Sequence, residues 1–383
     1  MQLFSPPSVT VRPVQYRDLE AIHLLGMHNS LETASDNAEQ INQWFKLVRF
    51  MSWLPSPFRN VFRAYVAQVG SEILGFIRVS PVNHSRTTWQ IDQISVISGI
   101  QRQNIGTQLI RHCLESCWEA RTWILNVDVN SDDSSKDAIA LYRQNGFQPL
   151  AQMTHWEIPF ESLHEIAQNQ QPDLPNLLPV SNADAFLLYQ LDTAAMPPQI
   201  RQVYDLSIND FRYSLVDKAI EHGQNVFSAV QNITGYVYEP QRKAAIGYFS
   251  LVLQTAKSPH HCQLTVHPAY TWLYKELIAQ MARILDQEQI NQEKNNKEQK
   301  EYAGVLVSSA DYQPEREAYL EQIQAVRKRH SMLMARSVWH KVRETKPALD
   351  ALQLSRMLTG LQPARKPVPG RIDTTPPQNP DLN

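Results

Sequence analysis

The sequence predicts an α/β protein in which helices are layered on a mostly antiparallel mixed sheet, and two such domains follow one another. The chain has 383 residues, which corresponds to two or three domains at about 150 residues each. Hydrophobic residues make up 43% of the chain and charged residues 19%, so each half can bury a core. Short apolar runs of β type alternate with amphipathic helical segments in the first 160 residues, which is typical of a layered domain.

The first of these elements is an apolar β run over residues 9–14, after which Asp18 is placed to cap a helix. A β-hairpin is predicted where Gly70 separates the alternating runs 64–68 and 73–79. The remaining predicted elements are a helix over 37–51, a strand over 89–96, a helix over 105–118, a strand over 124–129, a helix over 138–144 and two closing strands from Phe147 onward.

Changes in composition predict the domain boundaries. Residues 161–184 mix Pro, Gln and Asn without periodicity, so we expect a linker between a first domain at 1–160 and a second at 185–345. Residues 286–301 are polar and of low complexity, which predicts an exposed loop inserted in the second domain. Prolines recur in residues 346–383, which predicts a mostly disordered tail apart from an amphipathic stretch at 349–361.

Charge and cysteine content narrow the functional class. The formal net charge is -2, which argues against a general nucleic-acid binder. Three cysteines cannot form a disulfide framework, so a reducing compartment, the cytoplasm, is expected. The sequence shows neither an apolar run long enough for a membrane span nor a secretory signal. We therefore expect no nucleic-acid and no membrane partner.

The most informative stretch is residues 96–107, where the chain leaves a predicted strand and enters a predicted helix. Backbone N–H groups at such a turn converge on one point, and the helix dipole favours an anion there. The small residue Gly106 would let a phosphate approach the main chain, and Gln101, Arg102 and Gln103 add donors. On its own, a single glycine at such a turn is also compatible with an ordinary turn.

Three motifs in this order resemble one family. The loop resembles the pyrophosphate loop of the GNAT N-acetyltransferase superfamily, Gln/Arg-x-x-Gly-x-Gly/Ala, with Gln101, Asn104 and Gly106 at its three fixed positions. Residues 138–147 (AIALYRQNGF) resemble the family's A-x-x-L-Y-x-x-x-G-F signature, and residues 11–18 resemble its first strand and helix start.

The resemblance implies a protein that uses acetyl-CoA as co-substrate, needs no metal and acetylates an amine. The cofactor-binding residues it implies are Ile94, Val96, Gln101, Arg102, Gln103, Asn104, Ile105, Gly106 and Thr107. The sequence departs from the family pattern at Asn104, which replaces a glycine, at Ser98, which replaces a frequent proline, and at Ser135, which replaces a common asparagine. Asn tolerates a left-handed backbone, so the cradle can still form.

The resemblance also implies two catalytic residues. The run Ile91–Val96 (IDQISV) is similar to the family's I-E-D-L-A-V pattern and makes Asp92 a candidate general base. Tyr142 is the candidate general acid for the departing thiolate, and backbone N–H groups near Ile94 and Val96 would bind the acetyl carbonyl because the family splays this strand. Alternatively, Asp92 is a solvated strand carboxylate and Tyr142 an aromatic residue packed between helix and sheet.

Other candidate groups have structural explanations. Cys113 and Cys117 lie on one helical face, and packing against the sheet is expected rather than a zinc or redox site. The apolar segment 50–58 is either a substrate lid or a cover of the core. The histidines His260, His261 and His267 are expected at the surface.

Residues 185–345 repeat the plan of the first domain in degenerate form. Aligning the two parts places Val266 on Val96, Cys262 on Asp92 and Tyr319 on Tyr142. The loop that follows Val266 lacks the glycines, and Trp272 and Tyr274 would block a pyrophosphate, so we expect no CoA in this part. The basic run 327–330 could recognise an acidic partner or form a solvated face.

The sequence thus predicts an acetyl-CoA-dependent N-acetyltransferase with a silent second copy, acting on a peptide N-terminus, a lysine or a small amine. The alternative is a non-catalytic protein that senses acetyl-CoA or binds a protein partner. Either a monomer or a homodimer is compatible with the sequence.

Overall fold

The structure is a computed structural model of the chain, and it describes residues 9–28, 62–97, 104–129, 133–169, 172, 174–212, 231–254, 259–295 and 304–338. We refer to the described residues up to 169 as the first half and to those from 174 as the second half. Four sequence-based predictions lie outside the described residues: the helix over 37–51, the segment 50–58, the residues Gln101, Arg102 and Gln103, and the tail from residue 346.

The first half contains six strands and four α-helices among its described residues. Its elements, in chain order, are β1 (Thr10–Pro13), α1 (Leu19–His28), β2 (Arg63–Val69), β3 (Glu72–Pro81), β4 (Thr88–Val96), α2 (Ile105–Ser116), β5 (Thr122–Asp128), α3 (Asp133–Gln144), β6 (Gln148–Ile158) and α4 (Phe160–Asn169).

The second half follows the same order. Its elements are β7 (Leu177–Pro179), α5 (Ala185–Ala195), α6 (Pro198–Tyr204), β8 (Gln231–Glu239), β9 (Ala244–Leu253), β10 (His260–Val266), α7 (Leu273–Asn295), β11 (Val305–Ala310), α8 (Pro314–Gln322) and β12 (Val326–Ser337). Among the described residues, the structure has no helix with the length and apolar character to cross a membrane.

All twelve strands belong to one sheet, in the order β1-β2-β3-β4-β5-β12-β6-β11-β10-β9-β8-β7. The last strand of each half lies between two strands of the other half. On one edge β12 pairs with β5, and on its other edge it pairs with β6. In the same way β6 separates β12 from β11, as in the register Val307↔Trp156. The two halves therefore exchange their last strands at the centre of the sheet.

The exchange corrects the prediction of two closing strands in the first half. Only β6 follows α3 among the described residues of that half, and the place beside β5 is taken by β12. The alternating pattern of a strand specifies which face it buries, and not which strand it pairs with. The sequence pattern therefore could not show that the partner lies in the other half.

Helices cover both faces of the sheet. In the first half, α2 and α3 pack on one face, in a core that contains Trp89, Leu109, Trp123 and Phe147. Helix α1 packs on the opposite face through Ile22 and Leu25. Helix α6 of the second half covers a patch of the sheet that includes Ile124 of β5 and Leu333 of β12. Each half thus contributes a helix to the core of the other.

Two segments differ from their sequence-based prediction. Helix α4 occupies the start of the predicted linker 161–184, and its residues Leu163 and Ile166 are buried in the core of the second half. Helix α7 continues to Asn295 and includes the first ten residues of the predicted loop 286–301. Glu, Gln and Lys are good helix formers, so a helix that has already nucleated on a buried face extends through a polar segment without further burial.

Candidate functional site

Strands β4 and β5 diverge, and this opening is the centre of the candidate site. Their parallel pairing covers three residue pairs and ends at Gln90↔Ile124. Beyond this point β4 continues to Val96, still paired with β3 through Ile77↔Ile94 and Gly75↔Val96. The predicted carbonyl-binding residues Ile94 and Val96 therefore lie on the stretch of β4 that has separated from β5.

Asp92 lies at a β-bulge within this stretch. Gln93 pairs with Arg78 and Ile91 with Val79, so Asp92 is the extra residue of β4. Bulges redirect a side chain locally, and here the carboxylate meets two groups of β3. The hydroxyl of Ser80 donates a hydrogen bond of 2.9 Å to Oδ1, and Nε of Arg78 lies 3.5 Å from Oδ2.

Burial determines the protonation behaviour of Asp92. It raises the pKa of the carboxyl group above its ordinary value, and the charge of Arg78 and the hydrogen bond from Ser80 offset only part of this rise. A carboxylate with a raised pKa accepts a proton more readily, which suits a general base.

The described end of the predicted phosphate loop has the expected backbone. Asn104 stands where the family motif has a glycine, and it adopts the left-handed conformation that glycine favours, with φ 52° and ψ 30°. Helix α2 begins at the next residue, and the side chain of Asn104 does not cap it. The N–H groups of the first turn, at Ile105, Gly106 and Thr107, are therefore donors without this cap at the positive end of the helix dipole.

Gly106 has a packing role in addition to its place in the loop motif. A Cβ atom added there would lie 2.9 Å from Cδ2 of Leu141 on α3. The absence of a side chain thus lets the start of α2 approach α3 closely. Sequence reasoning considered phosphate binding or an ordinary turn for this glycine and missed its packing against α3.

Tyr142 follows Leu141 on α3 and is almost fully enclosed, with 6% of its surface exposed. Its ring packs edge to face against Phe147 with the centroids 6.0 Å apart. Burial raises the pKa of Tyr142 to about 12. The phenol is therefore neutral at physiological pH and keeps a proton that it can donate.

The two catalytic candidates lie on opposite faces of the sheet. Val79 and Ile91 belong to the core that contains Tyr142. Asp92 contacts Arg78 and Ser80, which alternate with Val79 on β3 and so face the other way. The opening between β4 and β5 is where a molecule can meet groups from both faces. The partners Arg78 and Ser80 were missed by sequence reasoning, although their alternation with Val79 is a signal for them.

Comparisons with known proteins agree with this geometry. The family model described as acetyltransferase (GNAT) family matches residues 31–147, a range that contains β2 to α3 and both catalytic candidates. This match identifies a GNAT acetyltransferase domain in the first half of the chain. No curated protein sequence matches the chain.

Solved structures show that the GNAT fold occurs here in tandem. A tandem GNAT protein from the clavulanic acid biosynthesis pathway aligns with a TM-score of 0.55 and 14% identity, covering 87% of this chain and 100% of its own. A GCN5-related N-acetyltransferase from Sphaerobacter thermophilus aligns with a TM-score of 0.51 and 13% identity, covering 88% of this chain and 98% of its own. At these identities the likeness concerns the fold.

The second half has the same opening, and an arginine fills it. Pairing of β10 with β11 ends at Cys262↔Val307, although both strands continue. The guanidinium of Arg316 on α8 donates a hydrogen bond of 2.8 Å to the carbonyl of Ser308 on β11, and another to the carbonyl of Leu264 on β10. Arg316 is 5% exposed and therefore bridges the two diverging strands from inside the protein.

The residue that matches Arg316 in the first GNAT half is aliphatic. Arg316 stands three positions before Tyr319, and Ile139 stands three positions before Tyr142. Of the two predicted blocking residues, Tyr274 is buried with its ring 5.3 Å from the Arg316 guanidinium, whereas Trp272 is 55% exposed. The group that occupies the opening is thus Arg316, which sequence reasoning missed.

The remaining sequence candidates have structural roles. Cys113 and Cys117 are buried in the core of the first half, as predicted, and burial raises the pKa of both thiols. In the basic run, three side chains are already engaged by acids of the chain, in the pairs Arg327–Glu321, Lys328–Glu157 and Arg329–Asp128. Among the described residues, no three His, Cys, Asp or Glu side chains are grouped closely enough to hold a metal.

Proposed function

We propose that the first GNAT half transfers an acetyl group from acetyl-CoA to a primary amine of a peptide N-terminus, a lysine or a small molecule, and that the second half is catalytically silent. The observation that carries this proposal is the opening between β4 and β5, with Asp92 on one face of the sheet and Tyr142 on the other. The chain has free thiols at Cys113, Cys117 and Cys262, which suit a reducing compartment such as the cytoplasm.

The described residues fit the co-substrate in two respects. The first turn of α2 offers to a phosphate N–H groups that the side chain of Asn104 does not cap, and Asn104 supplies the turn that aims them. The unpaired stretch of β4 beside Ile94 and Val96 offers main-chain positions to an extended ligand. Acetyl-CoA, when bound, supplies an activated thioester, and the residues of the chain orient it and handle the protons.

Asp92 is proposed to help remove a proton from the acceptor. An amine of lysine type, with a pKa of about 10.4, is deprotonated in only one molecule in about 2,500 at pH 7, which costs about 4.6 kcal/mol. An α-amine with a pKa near 7.8 costs only about 1 kcal/mol. A base with a raised pKa at Asp92 is therefore needed more for a side-chain amine than for a peptide N-terminus.

Tyr142 is proposed to donate a hydrogen bond to the departing thiolate. Its pKa of about 12 lies about 3.5 units above that of a thiol near 8.5, so complete proton transfer from the phenol costs about 4.8 kcal/mol. Tyr142 therefore stabilises the thiolate by a hydrogen bond, and the net proton comes from the amine that has reacted.

Arg316 supports the assignment of the silent half. A guanidinium that joins Leu264 to Ser308 across the opening occupies the space that a pantetheine arm would need. In the first half the corresponding residue, Ile139, has no group that could make these hydrogen bonds.

The test is acetyl-CoA binding and CoA release by the full chain, with peptide N-termini, lysine peptides and small amines as acceptors. Tyr142→Phe is expected to bind acetyl-CoA as wild type does and to lower turnover by about 100-fold. Tyr65→Phe is the matched control, since Tyr65 is a buried tyrosine of the same core. Binding without any turnover would indicate an acetyl-CoA sensor, and no binding would leave only a protein-binding role.

A further inference from the structure

One arginine of the second half reaches the site of the first half. Arg336 lies on β12, opposite Trp123 of β5, so the strand exchange brings it into the first half. Its Nη1 donates a hydrogen bond of 2.5 Å to the main-chain carbonyl of Asn145, at the end of the helix that carries Tyr142. A cation at a helix C-terminus interacts favourably with the carbonyl groups that have no partner within the helix.

Gly146 lies beside this contact. Its φ of 81° ends helix α3 in a left-handed turn, and a Cβ added there would lie 3.5 Å from Nε of Arg336. The guanidinium therefore lies directly against the glycine that terminates α3. The A-x-x-L-Y-x-x-x-G-F motif thus includes a position whose neighbour comes from the other half of the chain.

Asn145 continues the contact toward the loop. Its side-chain nitrogen donates to the carbonyl of Leu141, at 2.8 Å, and to the hydroxyl of Thr107, at 3.3 Å. Thr107 lies in the first turn of α2, where the candidate phosphate-binding N–H groups are. A chain of hydrogen bonds therefore runs from Arg336 through Asn145 to the start of α2.

The surroundings of Arg336 disfavour its positive charge. Burial lowers the pKa of its guanidinium, and the like charge of Arg111 on α2 lowers it further. The carbonyl groups at the end of α3 offset the cost of holding a cation at this position. A neutral side chain would fill the same space without that attraction.

We infer that Arg336 is a positioning residue of the acetyl-transfer site, which it serves by fixing the end of α3, and with it Tyr142, relative to the first turn of α2. This inference rests on the proposed function of the first half. It adds to that function a residue contributed by the silent half, so that the second half takes part in catalysis without a site of its own.

The experiment compares Arg336→Gln with Arg336→Lys in the full chain, at a temperature at which each variant is folded. Arg336→Gln is expected to weaken acetyl-CoA binding about tenfold and to lower kcat by about 10- to 100-fold, because displacements of about 1 Å away from the reacting atoms have effects of this size. Arg336→Lys keeps the charge and is expected to recover part of both losses. Amide exchange at residues 145–147 should be faster in Arg336→Gln alone.

Two further variants separate positioning from general stability. Arg327→Gln is the matched control on the same strand, because Arg327 pairs with Glu321 at the surface, and it should change none of these quantities. Asn145→Ala removes the side-chain link to Thr107 without removing the main-chain acceptor of Arg336. If the two residues act in one chain, the double variant loses less than the sum of the single variants.

The outcomes separate the inference from the proposed function. A wild-type chain that does not bind acetyl-CoA overturns both. A wild-type chain that binds and turns over, while Arg336→Gln matches it in affinity, kcat and exchange, overturns only the role of Arg336. Equal losses in Arg336→Gln and Arg336→Lys also overturn it, since the charge would then be irrelevant.

Discussion

Gly106 and Leu141 are in contact across two helices, and no side chain larger than hydrogen fits at residue 106 without moving Leu141. The contact joins the start of α2 to the turn of α3 that carries Tyr142. The glycine of the loop motif therefore controls the distance between the candidate phosphate site and Tyr142.

Gly106→Ala is expected to destabilise the chain by about 1–3 kcal/mol, because the added methyl group overpacks this contact. Urea unfolding of the full chain measures the change. Leu141→Ala creates space at the same point. The double variant should therefore lose less free energy of unfolding than the two single variants lose together. Additive losses would mean that the methyl group meets some other obstacle.

Asp92→Asn is expected to lower kcat/KM by about 100-fold or more while leaving the chain at least as stable at neutral pH. The pKa of Asp92 is raised by burial, so the folded state binds this proton more tightly than the unfolded state. Ionisation of Asp92 therefore lowers the free energy of unfolding as the pH rises above the pKa that this group has in the unfolded chain. Asparagine does not ionise and removes this effect.

The pH profile identifies the same group. In wild type, kcat/KM should fall on the acid side as Asp92 becomes protonated, and this limb should be absent in Asp92→Asn. Ser80→Ala removes a hydrogen bond that stabilises the carboxylate, so the acid limb should move to higher pH. An unchanged acid limb in Asp92→Asn would assign the base to another residue.

Arg316→Ala is expected to destabilise the chain by about 2–4 kcal/mol, since the carbonyls of Leu264 and Ser308 lose their buried donor. Arg316→Met should recover only the part that comes from packing. Arg327→Ala, which breaks an exposed ion pair, should cost at most about 1 kcal/mol.

Calorimetric titration of the same variants with acetyl-CoA tests the proposal that the second half is silent. One molecule per chain is expected in wild type and in both Arg316 variants, because the second half also lacks the glycines of the loop. Two molecules per wild-type chain would show that the second half binds the co-substrate as well.

A fragment of residues 1–184 is expected to show no cooperative unfolding transition. It lacks β12, which pairs with β5 on one edge and with β6 on the other, so both strands would be left with open edges. Circular dichroism during heating checks this, with the full chain as the control. A sharp transition in the fragment would show that the first half closes its sheet by other means.

The sequence predicted the features that depend on neighbouring residues. The hairpin around Gly70, the strand that bears Asp92 and the helix that bears Tyr142 follow from local periodicity and turn residues, and the structure has all three. The left-handed backbone at Asn104 was also foreseeable, because asparagine adopts it more readily than most residues.

The features that were missed depend on residues far apart in the chain. Arg316 looks like a surface arginine in the sequence, because the carbonyls that hold it lie on two strands that only the fold brings near. Arg336 likewise gives no sign that it reaches Asn145, 191 positions earlier. Residues 161–184 are predicted to be a linker because they mix Pro, Gln and Asn without periodicity, yet the segment begins within the helix Phe160–Asn169, which buries Leu163 and Ile166.

The exchanged strands have a consequence for how the two copies can change over time. In an ordinary tandem duplication, a copy that loses its chemistry is released from selection and drifts. Here β12 completes the sheet of the first half, so substitutions in it are constrained by the folding of the first copy. The second copy can diverge in its own site and still be retained, because the sheet of the first copy is incomplete without it.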